Sequence, residues 1–97
     1  MTRLIEPEQI PYLPRGVRLT DDRVRGIRVL QAPERAMQLD AVGDAILSEL
    51  DGSRSMADIA EGLAVAYNAP ADQISGDVAD FLTGLIERRM VFVKAAP

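Results

Sequence analysis

The chain has 97 residues, 47% of them hydrophobic and 27% charged, with no Cys, His or Trp; this is the composition of one small globular domain, not of a disordered or low-complexity segment. Lacking Cys and His, it can form no disulfide, offers no thiolate or imidazole to a metal, and has no Cys or Ser–His nucleophile system and no side chain that titrates near pH 7. The net charge of −4 divides unevenly: residues 1–39 hold seven Arg against five acids, whereas residues 40–97 hold four bases against ten acids, so the second half repels nucleic acid.

Residues 1–15 contain Pro7, Pro11 and Pro14, each without a backbone donor and each biasing its predecessor toward extended backbone, which predicts an irregular arm ahead of a domain spanning 16–97. Such an arm leaves a swapped homodimer among the open oligomeric states. The polar start, broken early by Pro7, does not read as a signal peptide, and no run nears the roughly 18 apolar residues of a membrane span. A cytoplasmic protein with no membrane partner is expected. From Gly16 the period is two: Val17 and Leu19 alternate with Arg18 and Thr20, Asp21-Asp22 leads into a turn to Gly26, and Ile27 and Val29 flank Arg28, a β-hairpin pattern. After the turn residues Gln31 to Arg35, Met37 and Leu39 alternate as a third short strand.

At Asp40 the period changes. Its carboxylate can cap a helix carrying Val42, Ala45, Ile46 and Leu50 on one face and ending at Gly52, after which a four-residue turn to Ser55 precedes a second helix. Ser55 and Asp58 have capping-box spacing, with Met56, Ile59, Ala60, Leu63 and Tyr67 behind them and a stop near Asn68-Ala69-Pro70. A third helix places Ile74, Val78, Phe81, Leu82, Leu85 and Ile86 at a 3.6 period and ends at Arg88-Arg89, and Met90 to Val93 reads as a terminal strand or packed extension. The fold class is α+β, a winged-helix-like domain with a three-stranded antiparallel sheet followed by three helices.

A winged helix suggests DNA binding, yet between Pro70 and Glu87 the charged residues are Asp72, Asp77, Asp80 and Glu87 with no base among them, the reverse of what a groove-reading helix needs. Catalysis finds no partnered nucleophile: no Ser lies in a G-x-S-x-G elbow, and the acids read as solvated helix faces or turn formers. A carrier protein would need an Asp-Ser-Leu attachment motif, and the nearest match, Asp51-Gly52-Ser53, reads as a helix end and turn. A binding module remains. The strand from Arg35 to Leu39, if it lies at the sheet edge, can accept an extended peptide by strand addition, with the apolar face of the third helix beside it.

Pro14-Arg15-Gly16-Val17-Arg18-Leu19, Val29 through Arg35, Leu39-Asp40, Ile46-Leu47 with Asp51-Gly52, and Asp77-Val78 with Phe81-Leu82 follow in an order that resembles the PqqD family, coenzyme PQQ synthesis protein D, over residues 12 to 93. The resemblance implies a cofactor-free peptide chaperone, not an enzyme, which binds the precursor peptide PqqA and presents it to the radical S-adenosylmethionine enzyme PqqE. A recognition domain of another peptide-modification pathway would resemble it almost equally, and a DNA-binding regulator is the other alternative. By position, the resemblance makes Arg35, Ala36, Met37, Gln38 and Leu39 the strand partner of the peptide and Asp77, Val78, Phe81, Leu82 and Leu85 the groove wall. Two positions depart from the family pattern: Arg28, where an aromatic residue is common, on the expected outer face of the hairpin, and Arg89, where Gly is common.

Overall fold

The computed structural model describes residues 2–97; Met1, part of the expected arm, lies outside the described residues. The order is β1 (Ile10–Tyr12), β2 (Arg18–Asp22), β3 (Ile27–Gln31), β4 (Ala36–Leu39), α1 (Ala41–Leu47), α2 (Met56–Ala66), α3 (Ala71–Glu87) and β5 (Phe92–Lys94). Strands β2, β3 and β4 form the expected antiparallel meander, and a separate antiparallel pair, β1 with β5, ties the two ends of the chain together.

The sheet's inner face follows from the period-two pattern. Leu19, Leu30 and Met37 stand opposite one another across the three strands, and Leu30 at their centre is fully buried against the helices. At the β2–β3 turn the Asp22 carbonyl accepts the Gly26 amide at 2.8 Å and its carboxylate accepts the Val24 and Arg25 amides at 3.1 Å, while Gly26 supplies the left-handed residue at φ +68. Arg28 lies two residues from Leu30 and therefore on the same face. The expectation that it stands on the outer face is corrected: its Nε reaches Asp44 of α1 at 3.0 Å and its Nη1 reaches Asp21 at 2.9 Å, so it ties sheet to helix.

The reading of residues 1–15 as an irregular arm is also corrected. Ile10–Tyr12 is strand, with Pro11 opposite Val93, a position in a two-stranded ribbon whose outer edge needs no donor. Ile5 and Ile10 are buried, Leu4 donates its amide to the buried Thr83 hydroxyl at 3.0 Å, and the Gln9 and Pro7 carbonyls accept the Met56 and Ala57 amides at 2.8 and 2.9 Å. Those are first-turn amides of α2, which have no acceptor inside their own helix. A three-residue strand interrupted by Pro carries no alternation for sequence reading to find.

Asp40 caps α1 by accepting the Gly43 amide at 2.7 Å, but the helix stops at Leu47, not at Gly52. Glu49 and Leu50 donate to Ile46 and Leu47 three residues back, tightening the last turn, and the link to α2 is residues 48–55, longer than the expected turn. Within it the Asp51 carboxylate accepts the Ser53 and Arg54 amides at 2.9 and 3.0 Å. These backbone bonds, Arg54's first, hold the Asp51 carboxyl below its ordinary range. A carboxyl depressed in the folded chain contributes stability above its unfolded pKa and loses it as pH falls through the folded value. A side-chain titration followed by NMR is therefore expected to place the Asp51 midpoint below that of an exposed aspartate.

In α2 the Ser55 hydroxyl accepts the Asp58 amide at 3.1 Å and Met56, Ile59, Ala60 and Leu63 are buried, whereas Tyr67, expected on that face, ends the helix with its side chain exposed. Helices α2 and α3 finish alike. Asn68 (φ +50) and Arg89 (φ +59) take the left-handed conformation; Ala69 and Met90 donate to Ala64 and Leu85, and Asn68 and Arg89 donate to Val65 and Ile86, the paired bonds of a Schellman ending. This explains why Gly suits position 89. Arg89→Gly removes the left-handed penalty and is expected to raise stability by about 0.5–1 kcal/mol, read as an increased denaturation midpoint.

Candidate functional site

Among the described residues the outer edge of β4 is open. It pairs with β3 on one side only, with Leu30 opposite Met37 and Arg28 opposite Leu39, and just beyond the strand the Ala32 amide donates to the Arg35 carbonyl at 2.8 Å. Hydrogen-bonded and non-hydrogen-bonded pairs alternate in an antiparallel ladder. Counting from the Ala32–Arg35 bond, Met37 and Leu39 turn their amide groups to β3, and Ala36 and Gln38 turn theirs outward. The side chains follow the opposite rule: those of Met37 and Leu39 pack half-buried on the core, and those of Ala36 and Gln38 are exposed.

Beside this edge a groove of about 420 Å³ is lined by Met37, Gln38, Leu39, Asp40 and Phe81. Phe81 is half-buried because α1 lets it in. A Cβ on Gly43 would lie 3.1 and 3.2 Å from the Phe81 ring, so any side chain there would press the ring back by a few tenths of an ångström, and glycine lets it rest close against that helix. Arg88, read in the sequence only as a helix-end charge, adds a cation at the other end of the strand, with Nη1 3.4 Å from the Met37 sulfur.

The sequence-named residues are thus divided. Arg35, Ala36, Met37, Gln38 and Leu39 come together as one edge, and Phe81 faces it. Val78, Leu82 and Leu85 are 1%, 0% and 2% exposed and belong to the core, and none of them lines the groove beside β4. Asp77 is exposed one turn before Phe81. Asp80, its neighbour in the acidic series, points to the arm, pairing with Arg3 at 2.8 Å. Asp40, not singled out as a groove residue from the sequence, lines the groove while capping α1; its position directly after the alternating Leu39 was the available signal. Among the described residues no cluster of acids is placed to hold a metal ion, and no helix is long and apolar enough to cross a membrane.

The chain is similar in sequence and fold to known proteins. The family model for coenzyme PQQ synthesis protein D matches residues 28–91, which contain β4, the groove and α3. A protein of Rhizobium meliloti (strain 1021) named "PqqA binding protein" is 44% identical over 88 residues, 91% of this chain and 90% of that one. Among solved structures, the solution NMR structure of the PqqD truncation of Methylobacterium extorquens PqqCD, described as a functional and stand-alone RiPP recognition element, aligns with TM-score 0.80 at 38% identity, covering 93% of this chain and 96% of that one. The crystal structure of PqqD from Xanthomonas campestris aligns with TM-score 0.57 at 40% identity, over 89% and 96% of the two chains. By sequence and by fold, the chain belongs to the PqqD family.

Proposed function

We propose that this chain is the peptide chaperone of pyrroloquinoline quinone biosynthesis: it binds the precursor peptide PqqA and presents it to the radical S-adenosylmethionine enzyme PqqE. The observation that carries the reading is the free edge of β4, where Ala36 and Gln38 hold their amide and carbonyl groups toward solvent beside the groove of Met37, Leu39 and Phe81, in a chain 44% identical to a protein named for binding PqqA. An extended peptide added there would satisfy those groups as a fourth strand. Backbone pairing supplies affinity with little dependence on sequence, and side chains entering the groove supply selection.

The chain's own part is positioning, not bond chemistry. A tethered peptide reaches a modifying enzyme at a high effective concentration, and neither catalytic groups nor a cofactor of its own are needed for that. The cytoplasm is the expected setting, and a homodimer exchanging its N-terminal segments is compatible with the role. Calorimetric titration with the PqqA peptide, with and without PqqE, tests the reading. Saturation near one peptide per chain is the expected result, and no heat in either format would overturn it.

A further inference from the structure

We infer that a second pocket, at the far end of the groove, receives one large apolar side chain of the bound peptide, from a residue just beyond the stretch paired with β4; this deepens the peptide-binding reading and rests on it. The pocket lies between the three helices, lined by Val42 and Ala45 of α1, Leu63 and Tyr67 of α2, and Ile74 and Asp77 of α3. Its volume is about 240 Å³, whereas an apolar cavity of about 150 Å³ already holds a benzene ring. One Leu, Met, Phe or Tyr side chain fits.

Two features show that the fold itself does not fill this space. Val42 and Tyr67 stand at its rim 64% and 63% exposed, although the helical period of each placed it on the buried face. Val42 lies in the first turn of α1 and Tyr67 caps the end of α2, so neither has a further turn of its own helix beside it at the opening. The lining is apolar apart from the Tyr67 hydroxyl and the Asp77 carboxylate.

The pocket adjoins the strand-binding groove through neighbouring residues on both walls. Along α3, Phe81 lines the groove and Asp77 the pocket, and side chains four apart on a helix lie about 5–6 Å from each other on one face. Along the opposite wall Asp40 lines the groove and the next residue, Ala41, lines the pocket. A peptide leaving the side of Leu39 therefore runs on from the groove toward the opening, an extended chain advancing about 3.3 Å per residue. The carboxylate at the rim then fits a Lys or Arg next to the apolar anchor. The occupant is thus an apolar residue flanked by a base.

The test uses two variants that leave the β4 edge untouched. Ala45→Leu fills the pocket from within; Val42→Glu places a charge at its mouth, at an exposed position where folding is not at risk. Each is titrated with the PqqA peptide by calorimetry, and amide shifts at Ala36 and Gln38 report strand pairing separately. Both variants are expected to bind at least about tenfold more weakly, the loss corresponding to one unburied side chain, with the edge shifts still produced at saturating peptide. An alanine scan of the peptide is expected to find one apolar position whose loss weakens the wild-type chain but adds nothing in Ala45→Leu. Wild-type affinity in folded Val42→Glu and Ala45→Leu, with the edge shifts intact, would overturn the pocket and leave strand addition standing. Absence of peptide binding by the wild-type chain would overturn both.

Discussion

Replacing Gln38 with Pro is expected to leave the domain folded and to weaken binding of the PqqA peptide by about tenfold to a hundredfold. Gln38 is exposed, and the alternation of the β3–β4 ladder turns its amide away from β3. Pro on an outward-facing edge position costs the sheet no hydrogen bond. An added strand, however, loses a donor, meets the pyrrolidine ring, and keeps a carbonyl without a partner in a closed groove, a penalty of about 1–3 kcal/mol. The same substitution one residue earlier acts on the opposite side. Met37 directs its amide to β3 and is packed on the core, so Met37→Pro breaks the ladder itself and, by leaving its β3 acceptor unpaired, is expected to destabilise the fold by about 1–3 kcal/mol. Circular dichroism and calorimetric titration on the pair separate the two effects. Unchanged affinity in folded Gln38→Pro would show that the peptide does not pair at this edge.

Period alone was sufficient to recover β2, β3, β4 and the three helices, because each of these segments has one face buried and one solvated, and the burial writes the alternation into the sequence. The same logic fixed which face of β4 packs on the core, since Met37 and Leu39 had to point one way, while its place at the sheet edge was only a condition until the strand order settled it. It could not divide α3 into core and contact. Val78, Leu82 and Leu85 share an apolar stripe with Phe81, and only the placement of α1, with Gly43 opening a seat for the Phe81 ring, decides which of them reaches the groove. Val42 and Tyr67 obeyed the helical period and are nonetheless exposed, because one lies in the first turn of α1 and the other caps the end of α2, where no neighbouring element covers them. The N-terminal segment failed to register for a different reason. Its contacts are with residues far along the chain, from Met56 and Ala57 to Thr83, and single carbonyls and two isoleucines leave no periodic trace.

That segment carries the second large expected effect. A chain beginning at Leu13 loses Ile5, Ile10 and Pro11 from the interior, leaves β5 without its partner strand, and deprives the Met56 and Ala57 amides of the Gln9 and Pro7 carbonyls. Removing a buried Ile side chain typically costs about 2–5 kcal/mol, while a domain of this length has roughly 5–15 kcal/mol in total. Two such losses consume most of it. The truncated chain is therefore expected to keep helical circular dichroism at best, with poorly dispersed methyl resonances and no cooperative urea transition. The single substitutions Ile5→Ala and Ile10→Ala are expected to lower stability by about 2–4 kcal/mol each, measurable as shifts of the urea midpoint in a chain that still folds. A sharp, unshifted transition in the truncated chain would mean that the segment is dispensable. If instead a peptide spanning residues 2–13 restores the transition when added in trans, the segment's sites on α2, α3 and β5 can accept it from another molecule, which is the physical requirement for an exchanged dimer.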